Sequence, residues 1–200
     1  MGCSVSAIEN ALVAKNGKIN SIKDKCDTLR APMDNGNAKF DPRFPLTVRQ
    51  KFSIIKSWKG ISRNIEETGI LMFLRMFETN EEIRTMFAKI VSHDVYDASQ
   101  IRESKGLENH VKQVMYTLDE AISSIEDVDD TINLLQSVGR SHRRLKTSGF
   151  DPSIFWKIEE PFLTAVKETL GDRYTANMEH IYGKTIKFIL ETLIRGFNED

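Results

Sequence analysis

Cysteine is nearly absent: Cys3 and Cys26 are the only two in 200 residues. Two thiols cannot build a disulfide framework or a cysteine-based zinc site. Histidine is scarce as well, at four. No apolar run approaches the roughly 20 residues that a membrane-crossing helix needs; the stretch from Ile70 to Leu74 stops at Arg75. Neither charge dominates. Lys plus Arg is 28 and Asp plus Glu is 29, a net charge of -1 with histidine neutral, which leaves no electrostatic footprint for nucleic acid. Five prolines and 11 glycines exclude a collagen-like or low-complexity chain. What remains is 40% hydrophobic and 28% charged, the balance of a folded chain that can bury a core without disulfides.

The first residues are Met1, Gly2, Cys3, Ser4, Val5 and Ser6. Removal of Met1 exposes Gly2, and Ser6 stands where the N-myristoylation pattern requires Ser or Thr. Cys3, beside it, suits reversible palmitoylation. One myristoyl chain binds a bilayer only marginally, at about 10⁴ M⁻¹, whereas a second acyl chain makes attachment stable. Acylation of Gly2 and Cys3 is therefore expected, holding the chain on the cytoplasmic side of a membrane, the plasma membrane in particular. The plainer alternative is an accidental Met-Gly-Cys start with Cys3 a free thiol. No apolar segment of a secretory signal follows.

Residues 1–46 read as a largely irregular extension. Asn16, Gly17, Pro32, Asn35, Gly36, Pro42 and Pro45 are turn and breaker residues. Only Ala7 to Val13 has the makings of a helical turn or two. Lys15, Lys18, Lys23, Lys25, Arg30, Lys39 and Arg43 outnumber Glu9, Asp24, Asp27, Asp34 and Asp41. Such an excess favours an anionic leaflet by roughly 1 kcal/mol per well-placed basic residue, or else belongs to a solvated linker.

From residue 47 to 200 the chain reads as all-α. Thr47 with Gln50 forms a capping-box pattern, and Phe52, Ile55, Trp58 and Ile61 follow at near-helical spacing. A second helix is expected over Asn64 to Phe77. Its Gly69 costs about 1 kcal/mol against Ala, which suggests close approach of another helix. A short helix over Glu81 to Met86 leads into a corner from Phe87 to Ser99. A long helix from Glu103 to Ile122 carries Leu107, Val111, Val114, Met115, Leu118 and Ile122 on one stripe. Glu126, Asp127, Asp129 and Asp130 suit the positive N-terminal end of the next helix, which ends at Arg140, Arg143 and Arg144. Gly149 and Asp151-Pro152 make a break. Pro152 to Leu170 and Tyr174 to Phe197 close the chain, separated by Gly171. The expectation is six long helices plus a short one.

Several chemistries fail on spacing. Asp127 opens a sequence like a calcium loop, but the required glycine and glutamate positions hold Ile132 and Val138. There is no phosphate-binding glycine loop, no zinc-protease histidine pair and no nucleophile elbow. His110 and His142 differ from His93 and His180 in lying on or beside the apolar stripes of separate helices. A buried histidine more often satisfies a hydrogen bond than binds a metal. Two imidazoles facing across a gap are what the two faces of a haem iron take. The aromatics Phe73, Phe77, Phe87, Phe155 and Trp156 would suit such a site or ordinary core packing equally.

The ordered segments carry a resemblance. Gly69, Phe73 and Phe77, then Phe87, then Leu107, His110, Val114 and Met115, then Val138, Gly139 and His142, then Asp151, Pro152 and Phe155 resemble a globin. The similarity spans residues 47–200 and is nearest to neuroglobin-type sequences, with Tyr182-Gly183 in the last helix. With Met1-Gly2-Cys3 added, the chain is similar to the membrane-associated globin X group. The resemblance implies a three-over-three helical sandwich around haem b. It implies that His142 is the proximal iron ligand, oriented by a carbonyl such as that of Val138, and that His110 is the distal ligand at rest. Val114, Phe73, Phe87, Val138 and Phe155 line the cofactor. Gln113 stands where neuroglobin has a lysine near the propionates, and Arg140 or Arg143 are candidates to replace it.

By the same analogy O₂, NO, CO or nitrite are the small ligands, and a reductase or other electron-transfer partner is expected. Redox or gas sensing at a membrane, or membrane protection, is the leading role. The alternatives are a nitrite reductase or NO dioxygenase, or an O₂ carrier or store.

Overall fold

The computed structural model describes residues 41–88, 91 and 97–199. Gly2, Cys3, Cys26, His93 and the expected turn at Ala7 to Val13 lie outside the described residues. Among those described, every regular element is helical. α1 runs Val48–Ser62, α2 Ile65–Thr79, α3 Glu81–Phe87 and α4 Ala98–Glu103. α5 runs Lys105–Ser123, α6 Val128–His142, α7 Glu159–Leu170 and α8 Ala176–Asn198. No helix among them is long and apolar enough to cross a membrane.

Local chemistry sets the ends. Thr47 accepts from the Gln50 backbone while the Gln50 side chain accepts from the Thr47 backbone N–H, a complete capping box. Asp127 caps α6 by accepting from the Asp130 N–H, and Asp129 and Asp130 sit in its positive first turn. Three details differ from the sequence expectation. α4 is an additional short helix, capped by Asp97, and the backbone turns extended at Ser104 before α5 begins. The expected helix from Pro152 starts as a 3-10 helix, Pro152–Ile158, and becomes α-helical at Glu159. The core also takes in Phe44 and Leu46, which the sequence reading leaves in the extension; Phe44 packs its ring 4.5 Å from that of Phe188.

α1, α5 and α6 form one layer, and α2, α7 and α8 the other. α2 crosses α5 and lies along α7, while α6 lies along α8. Two contacts are close because they lack side chains. A methyl group on Gly69 would fall 2.5 Å from Met115 Cγ and 2.9 Å from Val111 Cγ1, so Gly69 is the point where α2 meets α5. Gly139 of α6 and Gly196 of α8 face each other's backbone: a methyl on Gly139 would lie 2.0 Å from the Leu193 carbonyl oxygen, and one on Gly196 would lie 2.3 Å from that of Gln136. Polar links join helices both across and within the layers. Tyr182, fully buried, shares a 2.9 Å hydrogen bond with Ser57, and burial pushes its phenol up to about 12. Trp58 donates to Asp119 at 2.7 Å, joining α1 to α5.

Candidate functional site

α5 and α6 bring His110 and His142 into one interior region. His142 closes α6, where its Nδ1 lies 2.8 Å from the Val138 carbonyl oxygen. That oxygen can only accept, so Nδ1 carries the proton and donates. The other ring nitrogen keeps a free lone pair, in the tautomer a metal ligand requires. Ser141 donates its hydroxyl to the same carbonyl at 2.7 Å. Burial lowers the His142 pKa, the Val138 bond opposes this, and the Arg144 charge adds to the lowering.

His110 lies on the inward stripe of α5. Its ring packs edge-on against Phe73, 5.8 Å away at 88°, and against Phe87 at 5.3 Å. It has no hydrogen-bond partner among the described residues. Burial pushes its pKa down to about 4, with His142 contributing further through like charge. His110 is therefore neutral, with a lone pair available, near neutral pH.

Aromatic rings enclose both histidines. Phe73, Phe77 and Phe87 pack mutually at 5.5 to 5.9 Å on the His110 side. Phe155 meets His142 edge-on at 5.1 Å, and Phe150 lies 5.7 Å from it. Phe73 and Phe155 are buried, whereas Phe87, Val114 and Val138 are half-buried beside the core. All seven residues expected around a cofactor thus lie on helices α2, α3, α5 and α6 or on the Pro152–Ile158 helix.

Phe150 is a site residue that no periodicity or motif in the sequence marks. It follows Gly149, whose left-handed φ of 88° turns the chain back after the 3-10 helix Arg143–Ser148. Such a turn glycine is legible, but the direction in which it sends the next side chain is not. The expected propionate partners are otherwise engaged. Arg140 pairs with Glu199 at 3.3 Å, and Arg143 donates Nε to the Phe197 carbonyl at 2.8 Å. Arg144, exposed beside His142, has no ion pair among the described residues.

The donor set fits haem: two neutral imidazoles on separate helices with free ring nitrogens, walled by apolar and aromatic side chains, and a basic run at the edge. Comparison with known proteins agrees. The neuroglobin of Danio rerio is 26% identical over 152 residues, covering 76% of this chain and 92% of that protein. The neuroglobin of Dissostichus mawsoni is 25% identical over the same length. Among solved structures, a hexacoordinated heme protein from an anhydrobiotic tardigrade is 36% identical with a TM-score of 0.73, covering 80% of this chain and 100% of that one. The haemoglobin of the botfly Gasterophilus intestinalis, at 11% identity and a TM-score of 0.65, shares the fold. A family model for globins matches residues 70–193. The chain therefore belongs to the globin family, and haem is its cofactor.

Proposed function

We propose that this globin holds haem b between His142 and His110, six-coordinate at rest, and serves redox or gas sensing at a membrane surface. The observation that carries the coordination is the pair of imidazole nitrogens, unengaged among the described residues, in one aromatic enclosure. The hexacoordinated state described for the tardigrade relative supports it. When bound, haem supplies an iron that takes small ligands such as O₂, NO and CO and changes between ferric and ferrous.

The chain's own residues govern access. His142 is the fixed ligand, because the Val138 carbonyl holds its ring at 2.8 Å. His110 is the movable one, since apolar ring contacts constrain it less than hydrogen bonds would. An external ligand competes with His110, so its affinity falls with the fraction of open sites. Bulk O₂ storage is poorly served by a site already filled. Once turned aside, a His110 ring N–H can donate to a ligand, or a protonated His110 can give a proton to nitrite. Arg144, the cation left near His142, is the residue we assign to a propionate. His110→Leu should accelerate CO binding to the ferrous protein by at least about tenfold, as expected when the competing internal ligand is removed. An unchanged rate would overturn the six-coordinate reading.

The membrane part rests on Gly2, Cys3 and Ser6. Two acyl chains would hold the protein to the cytoplasmic leaflet, where an electron-transfer partner would meet it. Gly2→Ala should move the protein from the membrane to the soluble fraction of expressing cells. Continued membrane association of that variant would exclude myristoylation as the anchor.

A further inference from the structure

Glu66 and Glu67 lie in the first turn of α2; Glu66 is paired with a cation on α5, the helix that carries His110, and Glu67 with one on α4. Lys112 Nζ lies 3.4 Å from Glu66 Oε2 and 3.2 Å from Glu108 Oε1, so one ammonium joins α2 to α5. Arg102 Nη2 lies 2.7 Å from both oxygens of Glu67, tying α4 to the same turn. Glu108 and Lys112 keep only 20% and 33% of their side-chain surface exposed. Salt screens such a pair less than it screens one in open solvent, though not negligibly.

Their position on α5 matters. Glu108 and Lys112 are one turn apart and share a face. At 100° per residue, His110 projects from about the opposite side of the helix. Between them, Val111 and Met115 rest against Gly69. The apolar seat at Gly69 holds α2 against α5. The ion pairs at its edge are formed in the arrangement where His110 is turned inward among Phe73 and Phe87, and breaking them is part of the cost of rotating α5.

We propose that the Glu66–Lys112–Glu108 bridge is a latch on α5 that sets how fast His110 turns out of the site. The inference rests on the reading of His110 as an iron ligand. Contacts present with His110 inward, and lost when α5 rolls, slow the opening; removing them speeds it. Lys112 and Glu66 are positioning residues, since neither touches the haem site.

The test is rapid mixing of the haem-loaded, ferrous, full-length protein with CO. Glu66→Gln and Lys112→Met should each accelerate CO binding about two- to fivefold, the range that one partly exposed ion pair supports. Raising salt to about 1 M, where the screening length is about 3 Å, should accelerate the wild type similarly and Lys112→Met much less. A merely structural role would leave this salt dependence intact in the variant. His110→Leu, measured alongside, should be fast and insensitive to salt. If His110→Leu binds CO at the wild-type rate, the ligand reading fails and the latch with it. If His110→Leu is fast while both latch variants match the wild type, the latch alone is overturned.

Discussion

Gly139→Ala should destabilise the protein by about 2–4 kcal/mol, at or above the upper part of the usual overpacking range. It should also weaken haem retention. A mid-helix glycine ordinarily costs about 1 kcal/mol against alanine, so alanine would be favoured if space allowed. Here the added methyl would lie 2.0 Å from the Leu193 oxygen and 2.9 Å from the Phe197 nitrogen. Both are backbone atoms of α8, which cannot rotate away as a side-chain tip can. α6 must therefore retreat, and it carries His142 less than one turn further on. Gly183→Ala is the internal control: it also lies inside a helix, α8, but nothing lies within 4 Å of its added methyl. That variant should be neutral or stabilised by up to about 1 kcal/mol. Urea unfolding of the two variants, with haem transfer to an acceptor apoglobin, separates them. Equal stability of Gly139→Ala and Gly183→Ala would contradict the close-packed α6–α8 contact.

His142→Ala should lose most of its haem affinity, by at least about 100-fold on the scale expected when a metal ligand rather than its outer partner is removed. The two histidines are held differently. His142 is oriented by the Val138 carbonyl, with Ser141 sharing that acceptor, and is braced by Phe155 and Phe150. Among the described residues His110 has ring contacts but no hydrogen bond. Loss of the oriented ligand should release the cofactor, while His110→Leu should retain it and change its spectrum. Added imidazole should restore part of the haem absorbance to His142→Ala. Full retention of haem with an unaltered spectrum in His142→Ala would exclude it as the fixed ligand.

Features written in local chemistry were legible in the sequence. Thr47 with Gln50, and Asp127 before an apolar stripe, specify their helix starts within a few residues, because a cap depends on its own neighbours. Gly69 as a helix crossing was legible because a mid-helix glycine needs a reason. The Asp97 and Gln100 capping box was equally local, but it opens a six-residue helix, too short for apolar periodicity to show. Phe44 and Leu46 lie among Pro42 and Pro45, so no period marks them, and only their burial, with the Phe44 ring against Phe188, shows that they belong to the core.

At the site, His110 and His142 were legible as unusual by their place on apolar stripes. Their roles came from resemblance. Where the arginines point was not legible, because Arg140 and Arg143 are engaged by Glu199 and the Phe197 carbonyl, more than fifty residues away along the chain. The reciprocal approach of Gly139 and Gly196 was hidden for the same reason. Each glycine explains the other only once α6 and α8 are side by side.

The central claim is that two histidines of this chain hold the iron at rest. The absorption spectrum of the purified, haem-loaded, dithionite-reduced protein, before and after CO, tests it most directly. The account predicts a low-spin reduced spectrum with sharp paired visible bands, displaced by CO and abolished in His110→Leu. A high-spin, five-coordinate reduced spectrum in the wild type would contradict it, leaving His142 as the sole protein ligand and restoring O₂ binding as the principal role.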